Sequence, residues 1–168
     1  MNKIIIFALL LASVLASIQA SGKYTMTSTS GVTLNATAII GGLVFDELKG
    51  KIVFLEVYGY RCSYCIRAIS PYNKLQEKYK DKLAIVSIEV GGLNSEQLKK
   101  FDKDHNVKFL DITKKEAGDL VPYVSQLGKF QGMVPFLLIF DKSGKLYQSK
   151  SGPISNAEIE SIITKLSK

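Results

Sequence analysis

The apolar positions of this chain change period several times, and the order of those changes predicts its architecture. Lys23-Tyr24-Thr25-Met26-Thr27-Ser28-Thr29 and Val32-Thr33-Leu34-Asn35-Ala36-Thr37 alternate on either side of Ser30-Gly31, the pattern of a β-hairpin. Gly41-Gly42 breaks that alternation, and Phe45 to Gly50 reads as a short helical turn. From Ile52 to Tyr58 every position is apolar except Glu56, which predicts a central strand covered on both faces. Beyond Cys62 the side chains Ile66, Ile69, Tyr72, Leu75 and Tyr79 fall three or four apart, a helix interrupted by Pro71.

Lys82 to Val90, with its apolar centre from Leu83 to Ile88, predicts a second buried strand, ended by Gly91-Gly92. Asn94 and Gln97 have the spacing of a capping box, opening a helix with Leu98 and Phe101 on its apolar side and His105, a surface or packing residue, near its end. Val107 to Ile112 reads as a strand, and a helical segment follows from about Glu116 to Leu127, with Pro122 inside it. Phe136 to Phe140 is a strand, Asp141-Lys142-Ser143-Gly144 a turn, and Lys145 to Gln148 its antiparallel return. Ser155 with Glu158 opens a last helix striped by Ile159, Ile162, Ile163 and Leu166. This order predicts an α/β fold: a mixed central sheet with helices on both faces.

The chain has 168 residues, a one-domain length. Its first twenty residues stand apart. Lys3 precedes an apolar stretch from Ile4 to Leu15, and Ile18-Gln19-Ala20 resembles a cleavage site, so residues 1–20 are expected to be a signal peptide and 21–168 the mature domain. An uncleaved anchor is the competing expectation, although the apolar stretch is short for a membrane span. Either way the domain belongs in the periplasm or another extracytoplasmic space. The net charge of +7 is spread along the chain, which fits a solvated basic surface better than nucleic-acid binding. No segment reads as a dimerisation domain, and a monomer is expected.

Two cysteines, Cys62 and Cys65, are the only ones present. A bridge between them closes too small a loop to stabilise the fold much, so reaction is a better reason for it than structure. Zinc needs about four ligands, and the chain offers one CxxC and a single distant histidine; haem attachment needs a histidine at position 66, which is Ile. No metal site and no cofactor beyond the cysteine pair are expected. A helix N-terminus favours thiolate over thiol, and the pair sits where the central strand feeds a helix. Thiol–disulfide exchange is the leading reading, with a structural disulfide and metal binding as the alternatives.

The strand leading into CxxC, the proline in the following helix, Val134-Pro135 before an apolar strand and the closing hairpin with its amphipathic helix resemble the thioredoxin-like superfamily. Leu48-Lys49-Gly50-Lys51, the N-terminal hairpin and the long stretch from Gly91 to Met133, which has room for an inserted helix–strand unit, resemble the TlpA/ResA-like exported branch more closely. Arg61 stands where such proteins usually carry tryptophan, and the chain has no Trp. The resemblance implies a cis peptide before Pro135, with Val134 and Pro135 docking substrate beside the cysteines. It implies that Cys62 is the nucleophile, Cys65 the resolving thiol, and Glu56 a buried acid acting on Cys65. The lysine that often accompanies that acid is replaced by Ser87. Arg61 and Tyr64 are further candidates for the substrate-binding surface, and Arg61 a candidate for favouring the Cys62 thiolate.

The function implied is an exported protein thiol–disulfide oxidoreductase that reduces disulfides of partner proteins, as in cytochrome c maturation, and is reset by a membrane redox partner. A disulfide-donating oxidase and a binding or chaperone module with an idle disulfide are the alternatives.

Overall fold

A computed structural model describes residues 22–168. The expected signal peptide or anchor therefore lies outside the described residues. Two sheets make up the body. Strands β1 (Lys23–Thr27), β2 (Thr33–Ile39) and β3 (Gly42–Phe45) form an antiparallel three-stranded sheet in that order. The five-stranded sheet contains β4 (Ile52–Tyr58), β5 (Leu83–Glu89), β6 (Leu110–Thr113), β7 (Phe136–Phe140) and β8 (Leu146–Ser151), ordered β6-β5-β4-β7-β8. β4 and β5 are parallel, as are β5 and β6, while β7 runs antiparallel to both β4 and β8.

β4 is central, and every one of its residues is buried. Its alternation sorts the core. Val53, Leu55 and Val57 face a cluster with Met26, Leu34 and Phe45 from the small sheet and Leu120 and Val124 from a helix. Ile52 and Phe54 face the other way, against Tyr72, Leu75, Ile159, Ile162 and Ile163. Two helices supply that second layer: α1 (Ser63–Lys78) and the C-terminal α5 (Asn156–Leu166). Between β5 and β7 lie α2 (Ser95–His105), α3 (Lys114–Ala117) and α4 (Leu120–Gly128). No helix among the described residues is long and apolar enough to cross a membrane.

The mixed sheet with helices on both faces is therefore as predicted, with three differences. The hairpin gains a third strand, because Leu43 and Phe45 bury themselves in the first core while the polar signals at Gly41-Gly42 mark only the turn. The segment read as one helix from Glu116 is two, divided at Gly118, whose φ of 49° ends the first. Pro122 lies in the first turn of α4, where its missing N–H costs nothing. At the last helix only half of the capping box forms. Ser155 accepts the Glu158 N–H at 3.2 Å, but the Glu158 carboxylate turns to Lys150 Nζ at 2.6 Å. The Asn94–Gln97 box on α2 is complete.

The two sheets meet at Gly42. Leu43 N–H donates to the Gly144 carbonyl at 2.8 Å and Leu146 N–H to the Gly41 carbonyl at 2.9 Å. A Cβ on Gly42 would collide with the Gly144 carbonyl and stand 2.8 Å from Lys145 Cα, both backbone atoms that cannot swing away. Gly42→Ala is expected to destabilise the fold by about 1–3 kcal/mol, the range for overpacking, seen as a lower urea midpoint with an unchanged m-value.

Candidate functional site

β4 ends at Tyr58, and a tight turn in which Cys62 N–H donates to the Gly59 carbonyl at 2.9 Å delivers the chain to α1. Cys62 is the N-cap of that helix. Its sulfur accepts the Cys65 backbone N–H at 3.2 Å, so one of the unpaired amides of the helix start points at Sγ. The two cysteines are joined by a disulfide, with their Cα atoms 5.2 Å apart. Cys62 is partly exposed and Cys65 buried, which sorts them into an accessible sulfur and a shielded one. Opposite lies the start of β7. The Val134–Pro135 peptide is cis, as the resemblance implies, and Cys62 Sγ is 3.9 Å from the Val134 carbonyl oxygen.

Glu56 is buried, on the face of β4 that meets α1. It stands in register with Ser87 on one side and Leu137 on the other. The Ser87 hydroxyl donates elsewhere, to Asp111 Oδ1 at 2.7 Å, so Glu56 keeps only the Tyr72 hydroxyl, at a long 3.4 Å. Burial without a countercharge pushes the Glu56 carboxyl up to about 8, with Tyr72 pulling slightly the other way. Glu56 forms part of the wall of a cleft of about 170 Å³ that Tyr64, Arg67, Pro71, Tyr72 and Pro135 also line. The structure thus brings Glu56, Tyr64 and Pro135 to one opening, lined by the residue that precedes Cys65 and by the proline that follows Val134. Arg61 is outside it, exposed, with its guanidinium 5.0 Å above the Tyr60 ring.

Two acids on the same face were not anticipated. Glu89, at the end of β5, is fully buried, and its carboxylate accepts from four backbone amides: Gly91 at 2.6 Å, Leu93 at 2.9 Å, Gly92 at 3.1 Å and Tyr60 at 3.3 Å. It ties the turn carrying Cys62 to the loop after β5. Asp111 accepts from the Tyr58 hydroxyl at 2.5 Å, from Ser87 and, at 3.0 Å, from the Ile112 amide. Burial, and then the neighbouring Asp102, hold the Asp111 carboxyl well above the usual range. Glu89 carried a weaker signal than Glu56, because it stands at the end of its strand and not inside it. Arg67, one helical turn beyond Tyr64, carried none beyond its charge. Among the described residues no group of three or more His, Cys, Asp or Glu side chains is placed to hold a metal.

A CxxC at the head of α1 facing a cis-proline loop, on this sheet order, defines a thioredoxin-like fold. Comparisons agree, and bear out the resemblance to the TlpA/ResA-like branch. The chain is 28% identical over 126 residues to the thiol-disulfide oxidoreductase ResA of Bacillus thuringiensis subsp. konkukian, a match covering 71% of this chain and 66% of that protein. The chain thus spans just under two thirds of the length of its curated relatives. Among solved structures it superposes on the exposed lipoprotein thioredoxin of Streptococcus pneumoniae with a TM-score of 0.67 at 16% identity, covering 86% of this chain and 100% of that one. A DsbE-type thiol:disulfide interchange protein from Chlorobium tepidum gives 0.65 at 16% identity, covering 87% and 94%. No protein-family model matches the chain.

The raised Glu56 pKa has a consequence for stability. The folded protein holds this proton from the ordinary value of 4.5 up to about 8, whereas the unfolded chain releases it near 4.5. Stability is therefore greatest below the unfolded value and falls as pH rises towards about 8, where the loss levels off. Glu56→Gln should remove that slope: urea titrations of the two oxidised proteins should diverge across this window, the variant being relatively more stable at its upper end.

Proposed function

We propose that the protein is an extracytoplasmic thiol–disulfide oxidoreductase that reduces disulfides in other proteins. One observation carries the reading: the Cys62 sulfur is the helix cap, receives the Cys65 amide and remains accessible beside the Val134 carbonyl. In the reduced protein the same amide would stabilise a Cys62 thiolate. That thiolate attacks one sulfur of a substrate disulfide; the S–S bond breaks, and the departing substrate sulfur takes the electron pair and a proton. Cys65, once deprotonated, attacks the Cys62 sulfur of the mixed disulfide. The second substrate thiol leaves, and Cys62–Cys65 is restored as the disulfide seen here.

The second step needs a proton taken from Cys65 and one given to a leaving thiolate. A carboxyl with a pKa of about 8 lies close to an ordinary thiol pKa of about 8.5, where exchange in either direction is nearly balanced. Glu56 is assigned that positioning of the proton. Val134 and Pro135 are assigned the docking of an extended substrate segment: the Val134 carbonyl is the free acceptor, and proline puts no N–H against the incoming sulfur. Tyr64 and Arg61 border the approach. Support for export comes from the apolar N-terminus of the sequence and from relatives described as a lipoprotein and as DsbE-type. The ResA similarity makes cytochrome c maturation the first place to look for substrates, with a membrane redox partner returning the pair to the dithiol.

Reduction of insulin disulfides by the dithiol protein tests the reading. Cys62→Ser should abolish it. Cys65→Ser should accumulate a mixed disulfide at Cys62, visible by intact mass and released by reductant. Glu56→Gln should slow release of that intermediate about 10²-fold, the lower end for general acid–base catalysis, while leaving the first attack unchanged. Capture at Cys65 in a Cys62→Ser protein, or an idle Cys62 with an unperturbed pKa, would defeat the assignment. A measured potential near that of strong oxidants would reverse the direction of electron flow.

A further inference from the structure

The rim of the site carries charge that the exchange chemistry does not use. Arg61 directly precedes Cys62, and its guanidinium lies 5.0 Å above the Tyr60 ring. Arg67 is one turn into α1, and its guanidinium lies 4.5 Å above the ring of Tyr64, itself 55% exposed. The two aromatic–cation pairs fall on opposite sides of Cys62. Tyr60 faces the loop after β5, where a Cβ on Gly91 would meet its ring at 2.9 Å. Tyr64 and Arg67 border the cleft on the other side, towards Pro153 and Ile154.

Neither guanidinium has a carboxylate partner. All four ion pairs found among the described residues use lysines. On the neighbouring C-terminal helix α5 the acids are engaged elsewhere: Glu158 with Lys150 and Glu160 with Lys78. Stacking on tyrosine holds each guanidinium plane in place and leaves its N–H fork open, the arrangement suited to a carboxylate. The cleft wall does not oppose this, because Glu56 at about 8 is mainly protonated and neutral at pH 7. Met133, 62% exposed, directly precedes the cis Val134–Pro135 peptide.

Resting on the exchange reading above, we infer that Arg61 and Arg67 form a two-sided carboxylate clamp that selects substrate disulfides flanked by acidic residues. A segment laid across Val134-Pro135 with its reactive sulfur at Cys62 would present neighbouring side chains to both guanidiniums. The clamp acts on encounter and on mixed-disulfide formation and adds no step to the chemistry.

Three synthetic peptides with one intramolecular disulfide, differing only in Asp, Asn or Lys on either side of the attacked cysteine, supply the test. Second-order rates of their reduction by the dithiol protein are measured by stopped flow at low and high salt. The Asp peptide should react about tenfold faster than the Asn peptide at low salt, from two exposed pairs each of the size of a surface ion pair, and the advantage should shrink as salt screens it. The Arg61→Gln/Arg67→Gln protein should bring the ratio of Asp-peptide to Asn-peptide rates to about one, whatever its absolute rate, whereas Lys80→Gln/Lys168→Gln, which removes the same charge elsewhere on the chain, should keep that ratio. Arg67→Glu should favour the Lys peptide. Equal rates for the three peptides, or a preference that survives in the double-arginine variant, would overturn the clamp while leaving disulfide exchange intact. Failure to reduce any of the peptides, or a small neutral aromatic disulfide, would overturn exchange and the clamp together.

Discussion

The Cys65 amide pointing at the Cys62 sulfur is the contact on which the site depends. It makes the reactive atom part of the secondary structure, because the sulfur takes the place that a serine or aspartate oxygen fills at other helix starts. A helix N-terminus stabilises negative charge on its cap by roughly 0.3–1 kcal/mol at a surface and more when part-buried. That contribution exists only while β4 ends at Tyr58 and α1 begins at Ser63. The rest of the architecture maintains this junction: β4 is locked between β5 and β7, and Glu89 binds the turn at the Tyr60 amide.

Three acids sit on one face of the central sheet, and their different surroundings divide their uses. Glu89 is held by four backbone amides, which make it a fixed anchor for two loops. Asp111 accepts from Tyr58 and Ser87, which joins β6 to β4 and β5, while its burial, and then nearby Asp102, favour a proton on it. Thr29 extends the same network to the small sheet, its amide donating to the Asp111 carbonyl at 2.8 Å and its hydroxyl to Asp102 at 2.5 Å. Glu56 has one long hydrogen bond and a cleft beside it. Its carboxyl, raised to about 8, thus has an opening through which a proton can be exchanged.

Much of this was legible in the sequence because period and breaker residues reflect burial directly. The all-apolar β4 marks the centre of the sheet, and its single carboxylate stands out because charge in such a run must be paired or neutralised. The short β3 escaped notice because four residues beside two glycines are too few to establish an alternation. Glu89 was hidden for another reason. A carboxylate at a strand end reads as solvated, and only the return of the Gly91–Leu93 amides onto it buries the charge. Likewise Arg67 gains meaning only from the tyrosine beneath it and the cleft beside it.

Gathering these parts at one end follows from strand direction. β4, β5 and β6 are parallel, so their C-terminal ends, at Tyr58, Glu89 and Thr113, lie on the same edge of the sheet. Antiparallel β7 begins at that edge, which is why Pro135 arrives opposite Cys62 although some seventy residues separate them. Helices entered from parallel strands point their N-termini towards this edge, and loops there are free of the packing that fixes the opposite end through Gly42 and Gly144. One end of the sheet can therefore vary its rim residues, Arg61 and Arg67 among them, without disturbing the junction that joins the two sheets. Selectivity and stability are separated in space, and the cysteine pair keeps the same helix cap whatever the rim is built to recognise.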